Sequence, residues 1–132
     1  MADRLTITKS QEGKVTLQHL AGVLNAQSEN TLLEAVRAAH AENPHALVID
    51  LTDLEMIMSA GLRALQNIYK IYTPHGEPEE WEAAHPGQVY KSPRLKLAGA
   101  APQVHYVLSL SGFLHNLPIH PTLQEALRSF EV

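Results

Sequence analysis

The chain of 132 residues has no cysteine, few aromatic residues and no excess of positive charge. Without cysteine, disulfides and thiol catalysis are excluded, and the composition fits a reducing compartment. A formal net charge of -4 argues against nucleic-acid binding, which needs a basic surface to displace phosphate counterions. Aromatic residues make up only 5% of the chain, too few to stack against single-stranded bases. Long apolar runs are also missing, since none approaches the roughly 20 residues that a membrane-spanning helix needs.

Targeting signals and catalytic motifs are absent as well. The sequence begins without the apolar segment of a secretion signal, so we expect a cytoplasmic protein that does not insert directly into a membrane. It has no glycine-rich phosphate loop, and Ser59 lies in no Gly-x-Ser-x-Gly elbow because Ile57 occupies the place of the first glycine. We therefore expect no catalytic residue, no cofactor and no enzymatic activity.

Hydrophobic periodicity predicts an α/β fold with helices packed on a mixed sheet of four to five strands that begins with a β-hairpin. The length fits a single domain over residues 1–132. Predicted strands cover 5–8, 15–20, 46–51, 95–97 and 117–119, and about four predicted helices cover 28–41, 60–72, 101–111 and 122–130.

Residues 73–93 form an unusually long connection that is rich in proline and acidic residues. Within it, Glu77–His85 fits one or two helical turns. We expect a solvated acidic arm that Trp81 and Tyr90 anchor to the domain.

Histidines do not form a recognisable metal motif. His75, Glu79 and His85 match no ligand spacing, so no metal site is expected. The other histidines, which have no consistent partner in the sequence, are interpreted as surface or turn residues; they are His19, His40, His45, His105, His115 and His120.

The change from a buried strand to a helix at residues 58–61 is the most informative local feature. Ser59 stands where the N-cap of this helix is predicted, with its hydroxyl accepting from a backbone N–H one turn on. Arg63 and Asn67 lie on the polar side of the helix, which should face solvent or a partner. On spacing alone, Ser59 is simply a cap and Gly61 a close-packing residue.

Several stretches resemble one known family. Ile49–Leu65, which reads IDLTDLEMIMSAGLRAL, resembles the signature of the STAS domain family, the anti-sigma-factor antagonists and their relatives. Val15–Asn25 is similar to that family's second strand and turn, with Asn25 where aspartate is usual. Val104–Phe113 and Leu117–Phe130 resemble its later helices and last short strand. The resemblance implies one STAS domain with an insertion at about residues 73–93.

The resemblance also implies a function. In the family, the domain is a non-enzymatic interaction module that captures an anti-sigma factor with a kinase fold, and that kinase phosphorylates the serine that aligns with Ser59. The family's corner usually reads Asp-Ser-Ser/Thr-Gly, whereas here it reads Met58-Ser59-Ala60-Gly61. The acidic neighbour and the second hydroxyl are missing, so we expect Ser59 to be a poor phosphoacceptor and the corner to suit a constitutive interface.

The partner surface that the resemblance implies is centred on this corner. Its residues are Asn25, Met58, Ser59, Ala60, Gly61, Arg63 and Asn67. An alternative of a different class is an accessory STAS subunit of a phospholipid-type ABC transporter, whose partner would be the transporter's ATPase or permease. The sequence leaves open whether the protein is a homodimer.

Overall fold

A computed structural model describes residues 4–130 and places them in one five-stranded sheet flanked by helices. The predicted single domain spans residues 1–132, of which 1–3 and 131–132 lie outside the described residues. The strands are β1 (Leu5–Glu12), β2 (Val15–Leu24), β3 (Leu47–Ile57), β4 (Leu95–Ala98) and β5 (Ile119–His120). The helices are α1 (Glu29–Glu42), α2 (Ser59–Ile71), α3 (Glu77–Ala84), α4 (Pro102–Leu110) and α5 (Leu123–Arg128), with a 3₁₀ turn at Phe113–His115.

The sheet has the order β1-β2-β3-β4-β5. Strands β1 and β2 form an antiparallel hairpin, and the remaining neighbours pair in parallel. Gly13 turns the hairpin in the left-handed region with φ of 61°, which a side chain would disfavour. The predicted mixed sheet with an initial hairpin is thereby confirmed.

Strands β2 and β3 are longer than predicted. The prediction ended them at Leu20 and Leu51, but their pairing continues to Leu24 and Ile57. Two register shifts interrupt the pairing between these strands, and across them the buried residues of β3, which are Leu51, Leu54 and Ile57, are spaced by three. Because a strand is recognised by its period of two, the irregularity hides this extension from a sequence pattern.

Helices cover both faces of the sheet. The predicted inner face of α1 is confirmed, since Leu32, Leu33, Val36 and Ala39 are all buried. Helices α1, α2 and α4 pack on one face, over a core that includes Leu20, Leu24, Leu47, Ile49, Leu51, Leu65, Ile68, Val104 and Leu108. Helix α5 packs on the other face, in a smaller cluster of Val15, Leu17, Val48, Ala98 and Ala126.

The segment 73–93 folds against the domain through polar contacts. Helix α3 buries none of its own side chains, but Glu77 at its start is held by two neighbours. Arg94 donates to both carboxylate oxygens of Glu77 at 2.7 and 2.9 Å, and the hydroxyl of buried Tyr90 donates to Oε2 at 2.5 Å. Trp81 stacks on His85 and meets the edge of Tyr90. Tyr90 is buried and its carbonyl accepts from Asn116 of the domain, whereas the ring contacts of Trp81 are with His85 and Tyr90 of the same segment. The ion pair between Glu77 and Arg94 was not indicated by the sequence.

A polar network joins β2 to β3 on the face that carries α5. His19 and Asp50 are register partners, and His19 Nδ1 lies 2.9 Å from Asp50 Oδ2 while Nε2 lies 2.8 Å from Asp53 Oδ2. Thr52 donates to Asp50 Oδ1 from its hydroxyl and its backbone N–H. His19, interpreted above as a residue without a consistent partner, therefore has two.

The network shifts the pKa values of both its central groups. The hydrogen bond to Asp50 is the main cause of a raised pKa for His19, against a smaller opposing effect of burial. Burial alone would raise the pKa of Asp50, but the hydrogen bonds from Thr52 and His19 together hold it below its usual value. Charged His19 and charged Asp50 therefore stabilise each other in the folded protein.

Glu77→Ala should lower the free energy of unfolding by about 1–2 kcal/mol, because it leaves Arg94 and the Tyr90 hydroxyl without their charged acceptor. Urea denaturation measures this loss. Glu79→Ala, on the exposed side of the same helix, is the matched control and should change stability little. Equal effects of the two substitutions would show that Glu77 does not anchor α3.

Stability should depend on pH through His19. Because the folded-state pKa of His19 is raised above 6.5, its contribution is complete below that value and is lost as the pH rises through the folded pKa. His19→Gln should therefore be less stable than the parent at acidic pH, and the difference should shrink above neutrality. Urea denaturation at a series of pH values measures this difference. A difference that is constant from pH 5 to about 9 would contradict the raised pKa.

Candidate functional site

The β3–α2 corner, residues Met58–Gly61, lies against the end of β2. The backbone N–H of Met58 donates to the carbonyl of Leu24 at 2.9 Å, while Met58 itself is extended with φ of -103° and ψ of 176°. The carbonyl of Met58 then accepts from Leu62 N at 3.0 Å and starts α2. The corner therefore takes its position from β2 and its direction from α2.

Gly61 is required by this close approach. A Cβ at this position would lie 2.9 Å from the carbonyl oxygen of Leu24 and 2.7 Å from Cγ1 of Ile57. The carbonyl belongs to backbone that is fixed by the sheet, so it cannot move aside cheaply. The structure supports the close-packing role that spacing suggested for Gly61.

Ser59 is not the N-cap, and the prediction that placed its side chain in that role is wrong. Met58 occupies the N-cap position and Ser59 is the first residue of α2, with no side-chain capping bond at this terminus. A one-residue shift moves the hydroxyl past the N–H groups that it would have capped. Ser59 is exposed, and its hydroxyl makes no hydrogen bond with any residue in the described range 4–130. It is therefore available to a partner.

Asn25 shapes the turn that leads from β2 into α1. Its Oδ1 accepts from the backbone N–H groups of Gln27 at 3.0 Å and Ser28 at 3.2 Å. Ser28 Oγ in turn accepts from Asn25 N at 2.9 Å. An aspartate could make the same acceptor contacts, so asparagine preserves the turn. This turn follows Leu24 directly, which places it next to the corner.

Arg63 is exposed but already paired. Its Nε and Nη2 donate to the two carboxylate oxygens of Glu29 at 2.9 and 3.0 Å, joining α2 to the first turn of α1. The hydrogen bond from Arg63 is the main reason that the pKa of Glu29 is lowered. Asn67, one turn further along α2, is half-buried. A partner that uses Arg63 would meet it together with Glu29.

The accessible part of the corner is apolar. Met58 is 48% exposed, and Met56, on the preceding strand, is 52% exposed. Ala60 and Gly61 are buried, so they shape the backbone of the corner while Met58 and Ser59 present side chains. The first turn of α2 contains no acidic residue, which leaves the positive end of the helix dipole without a local negative charge.

Two residues that lie at or near the candidate site were not identified from the sequence. Met56 was missed because the strand was predicted to end at Leu51, and Glu29 because its partner is 34 residues away on another helix. The signal that the sequence offers for Met56 is an apolar side chain within the Ile49–Leu65 stretch, two residues before Met58. Within residues 4–130, no three histidine or carboxylate side chains are arranged to hold a metal ion, and no helix is long and apolar enough to cross a membrane.

Sequence comparison finds one matching family. The model of the STAS domain matches residues 6–76 of the chain. The anti-sigma-F factor antagonist RsfB of Mycobacterium tuberculosis is 35% identical over 63 residues, which are 48% of this chain and 52% of that protein. The chain thus spans about half the length of the curated relatives it matches.

Solved structures show the same fold. The crystal structure of an anti-sigma factor antagonist from Mycobacterium paratuberculosis superposes with a TM-score of 0.78 at 23% identity, over 100% of this chain and 98% of the other. The Bacillus cell fate determinant SpoIIAA in its phosphorylated form gives a TM-score of 0.59 at 14% identity, over 92% and 96% of the two chains. Since the family model matches more than half of the sequence, the chain belongs to the STAS domain family.

Proposed function

We propose that this protein is a non-enzymatic binding module that acts as an anti-sigma-factor antagonist, capturing an anti-sigma factor with a kinase fold. Membership of the STAS family and the name of the M. tuberculosis relative support the class of function. The observation that carries the proposal is the exposed Ser59 hydroxyl at the start of α2, preceded in the sequence by the exposed side chains of Met56 and Met58. The proposal includes a cytoplasmic location and one STAS domain over residues 1–132, with residues 73–93 as an insertion.

The proposed interface has an apolar centre and a polar side. Met58 supplies exposed apolar area, which a partner would bury, and the Ser59 hydroxyl offers one hydrogen bond beside it. Ala60 and Gly61 contribute through the shape of the backbone, because their own atoms are buried. On the side that faces α1, the proposed contacts are Asn25, Arg63 and Asn67, with Glu29 as the counter-charge of Arg63.

Phosphorylation of Ser59 would oppose such a complex. Transfer of the γ-phosphoryl group of ATP to Ser59 Oγ, with release of ADP and loss of the hydroxyl proton, adds nearly two negative charges at pH 7. The N-terminus of α2 tolerates this charge, whereas a partner surface packed closely on Met58 would have to desolvate it. The phosphate would therefore act on the complex more than on the fold.

Affinity capture tests the class of partner directly. The immobilised chain, incubated with a lysate of its native host, should retain a protein with a kinase fold, identified by mass spectrometry. Recovery of a transporter ATPase or permease instead would favour the accessory-subunit alternative and contradict the proposal. A homodimer would be detected separately, as a doubled mass of the purified chain in analytical ultracentrifugation.

Ser59→Glu should weaken binding of the captured kinase-fold protein by more than about 1.4 kcal/mol, a factor of ten, because it forces a charge into a desolvated contact. Calorimetry measures the affinity. Ser59→Ala is the matched control: it should retain binding and change the free energy of unfolding by less than about 0.5 kcal/mol, because Ser59 forms no cap. Unchanged affinity of Ser59→Glu would exclude this corner from the interface.

Met58→Asp should make Ser59 a better phosphoacceptor for the same kinase. An acidic residue can hydrogen-bond locally and present the hydroxyl, whereas Met58 can only pack. Incubation with the kinase and ATP, followed by intact-mass spectrometry, should show a higher initial rate for Met58→Asp and a single added phosphate. The double variant with Ser59→Ala should gain none. Rapid and complete phosphorylation of the parent at Ser59 would show that Met58 does not impair the switch.

A further inference from the structure

A hollow of about 560 Å³, here called the cationic hollow, lies where β4 and β5 meet the end of α5. The charged side chains that line it within the described range are two lysines, Lys91 and Lys96, and no lining residue there is acidic. His120 also lines the hollow, together with an apolar wall. The wall consists of Pro93, Leu114, Leu117, Pro118 and Ile119. Two lysines without a carboxylate are unexpected in a chain whose formal net charge is -4.

Lys96 is the central cation of the hollow. It is only 8% exposed, and its Nζ donates to the carbonyl of Ser129 at 3.1 Å and to Ser129 Oγ at 2.7 Å, 4.1 Å from the centre of the Phe130 ring. Among residues 4–130, no carboxylate forms an ion pair with it. Burial lowers its pKa. In the described part of the chain its Nζ contacts neutral groups, which is a costly state for a buried ammonium, and an anion would offset that cost.

His120 has an unmet hydrogen bond in the same place. Its Nε2 is buried and has no hydrogen-bond partner within the part of the chain that the structure describes. Burial is the main cause of a lowered pKa for His120, and the charge of Lys96 adds to it, against a smaller opposing effect of Glu125. The charge of Lys96 therefore acts on the ring, and its Nε2, which has no partner among the described residues, is a hydrogen-bonding group that an anion could use.

Lys91 stands at the rim. Its Nζ donates to the carbonyl of Leu114 at 3.0 Å, and its side chain is exposed. An ammonium group has three donors, so this contact leaves it able to reach a ligand. A rim lysine and a buried lysine on one hollow resemble the arrangement in which point charges hold a phosphate from several directions.

We propose that the cationic hollow binds a small phosphate monoester with an apolar body. Lys96, Lys91 and His120 hold the phosphate oxygens, and the apolar wall covers the organic group. This site is separate from the β3–α2 corner and does not depend on the proposed function.

Phenyl phosphate is the probe, titrated into the ¹⁵N-labelled full chain and followed by NMR. Saturable shifts should centre on residues 91–96 and 117–120, whereas benzyl alcohol, the neutral analogue, should cause none at equal concentration. Inorganic phosphate distinguishes the two sources of the anion: tighter binding of phenyl phosphate indicates an organic ligand. Binding of inorganic phosphate with equal affinity would contradict the role of the apolar wall.

Substitutions separate a ligand role from a structural one. Lys96→Met retains the stem over Phe130 and should weaken phenyl phosphate binding at least about tenfold. Lys91→Gln, which removes an exposed charge and should not affect folding, should weaken it about threefold, and His120→Gln likewise. Lys70→Gln, on the exposed side of α2, is the matched control and should retain the parent affinity.

Two results would overturn the proposal. The first is the absence of saturable shifts in the parent up to about 10 mM phenyl phosphate, a weaker affinity than a built site would give. The second is unchanged affinity in Lys91→Gln and His120→Gln, which would mean diffuse counterion binding and a purely structural role for Lys96 at the end of α5. Because both variants lie on the surface or its margin, this outcome can be read even if Lys96→Met fails to fold.

Discussion

The contact between the end of β2 and the first turn of α2 determines the geometry of the candidate site. The carbonyl of Leu24 accepts from the N–H of Met58 and also lies close to Cα of Gly61. These two contacts with β2 fix the position of the first turn of α2. A shift of α2 along its axis would break that hydrogen bond or drive Gly61 into the backbone of β2. The exposed position of Ser59 is therefore imposed by the packing of Gly61, two residues later, and by the sheet beneath it.

This constraint explains why a phosphate would act on a partner more than on the domain. Arg63, the nearest cation on the helix, is already neutralised by Glu29, and the first turn of α2 has no acidic residue. The helix dipole of α2 therefore has no acidic side chain of its own first turn near its positive end, and this end is weakly favourable to a negative charge on Ser59. The domain can carry the modified serine without rearrangement, and the energetic cost would fall on an apolar surface packed against Met58.

Local patterns in the sequence were sufficient for much of the fold. The hairpin around Gly13, the inner face of α1 and the position of the corner depend on periods of two or 3.6 and on glycines, all of which are visible in short windows. The extension of β3 to Ile57 was not predictable, because β3 is buried at every residue from Leu47 to Leu51 and then, across the register shifts against β2, only at every third residue. The prediction that Ser59 caps α2 was wrong because sequence patterns do not locate a helix start to within one residue. The helix begins at Ser59, so Met58 is the N-cap and the Ser59 hydroxyl makes no capping bond.

For the candidate site, the family resemblance indicated which residues belong to the β3–α2 corner, and the structure shows what each of them contacts. Asn25 and Gly61 shape the backbone, whereas Met58 and Ser59 offer side chains. Glu29 could not be inferred, because its pairing with Arg63 depends on how two helices pack. His19 is a comparable case: its partners in β3 become visible only when the strand register is known.

Two cations near the start of β4, Arg94 just before the strand and Lys96 within it, have different kinds of partner. Arg94 receives Glu77 from α3 as a bidentate counter-ion, although this requires an eight-residue helix to fold back onto the domain. Lys96, two residues later and more deeply buried, contacts a carbonyl, a hydroxyl and the face of an aromatic ring among the residues that the structure describes. If ion pairing were the general means of stabilising charge here, the more buried cation would need the carboxylate more. Within residues 4–130, the side chains around Lys96 instead offer it no carboxylate beside an open hollow, which is an arrangement that an exchangeable anion would suit.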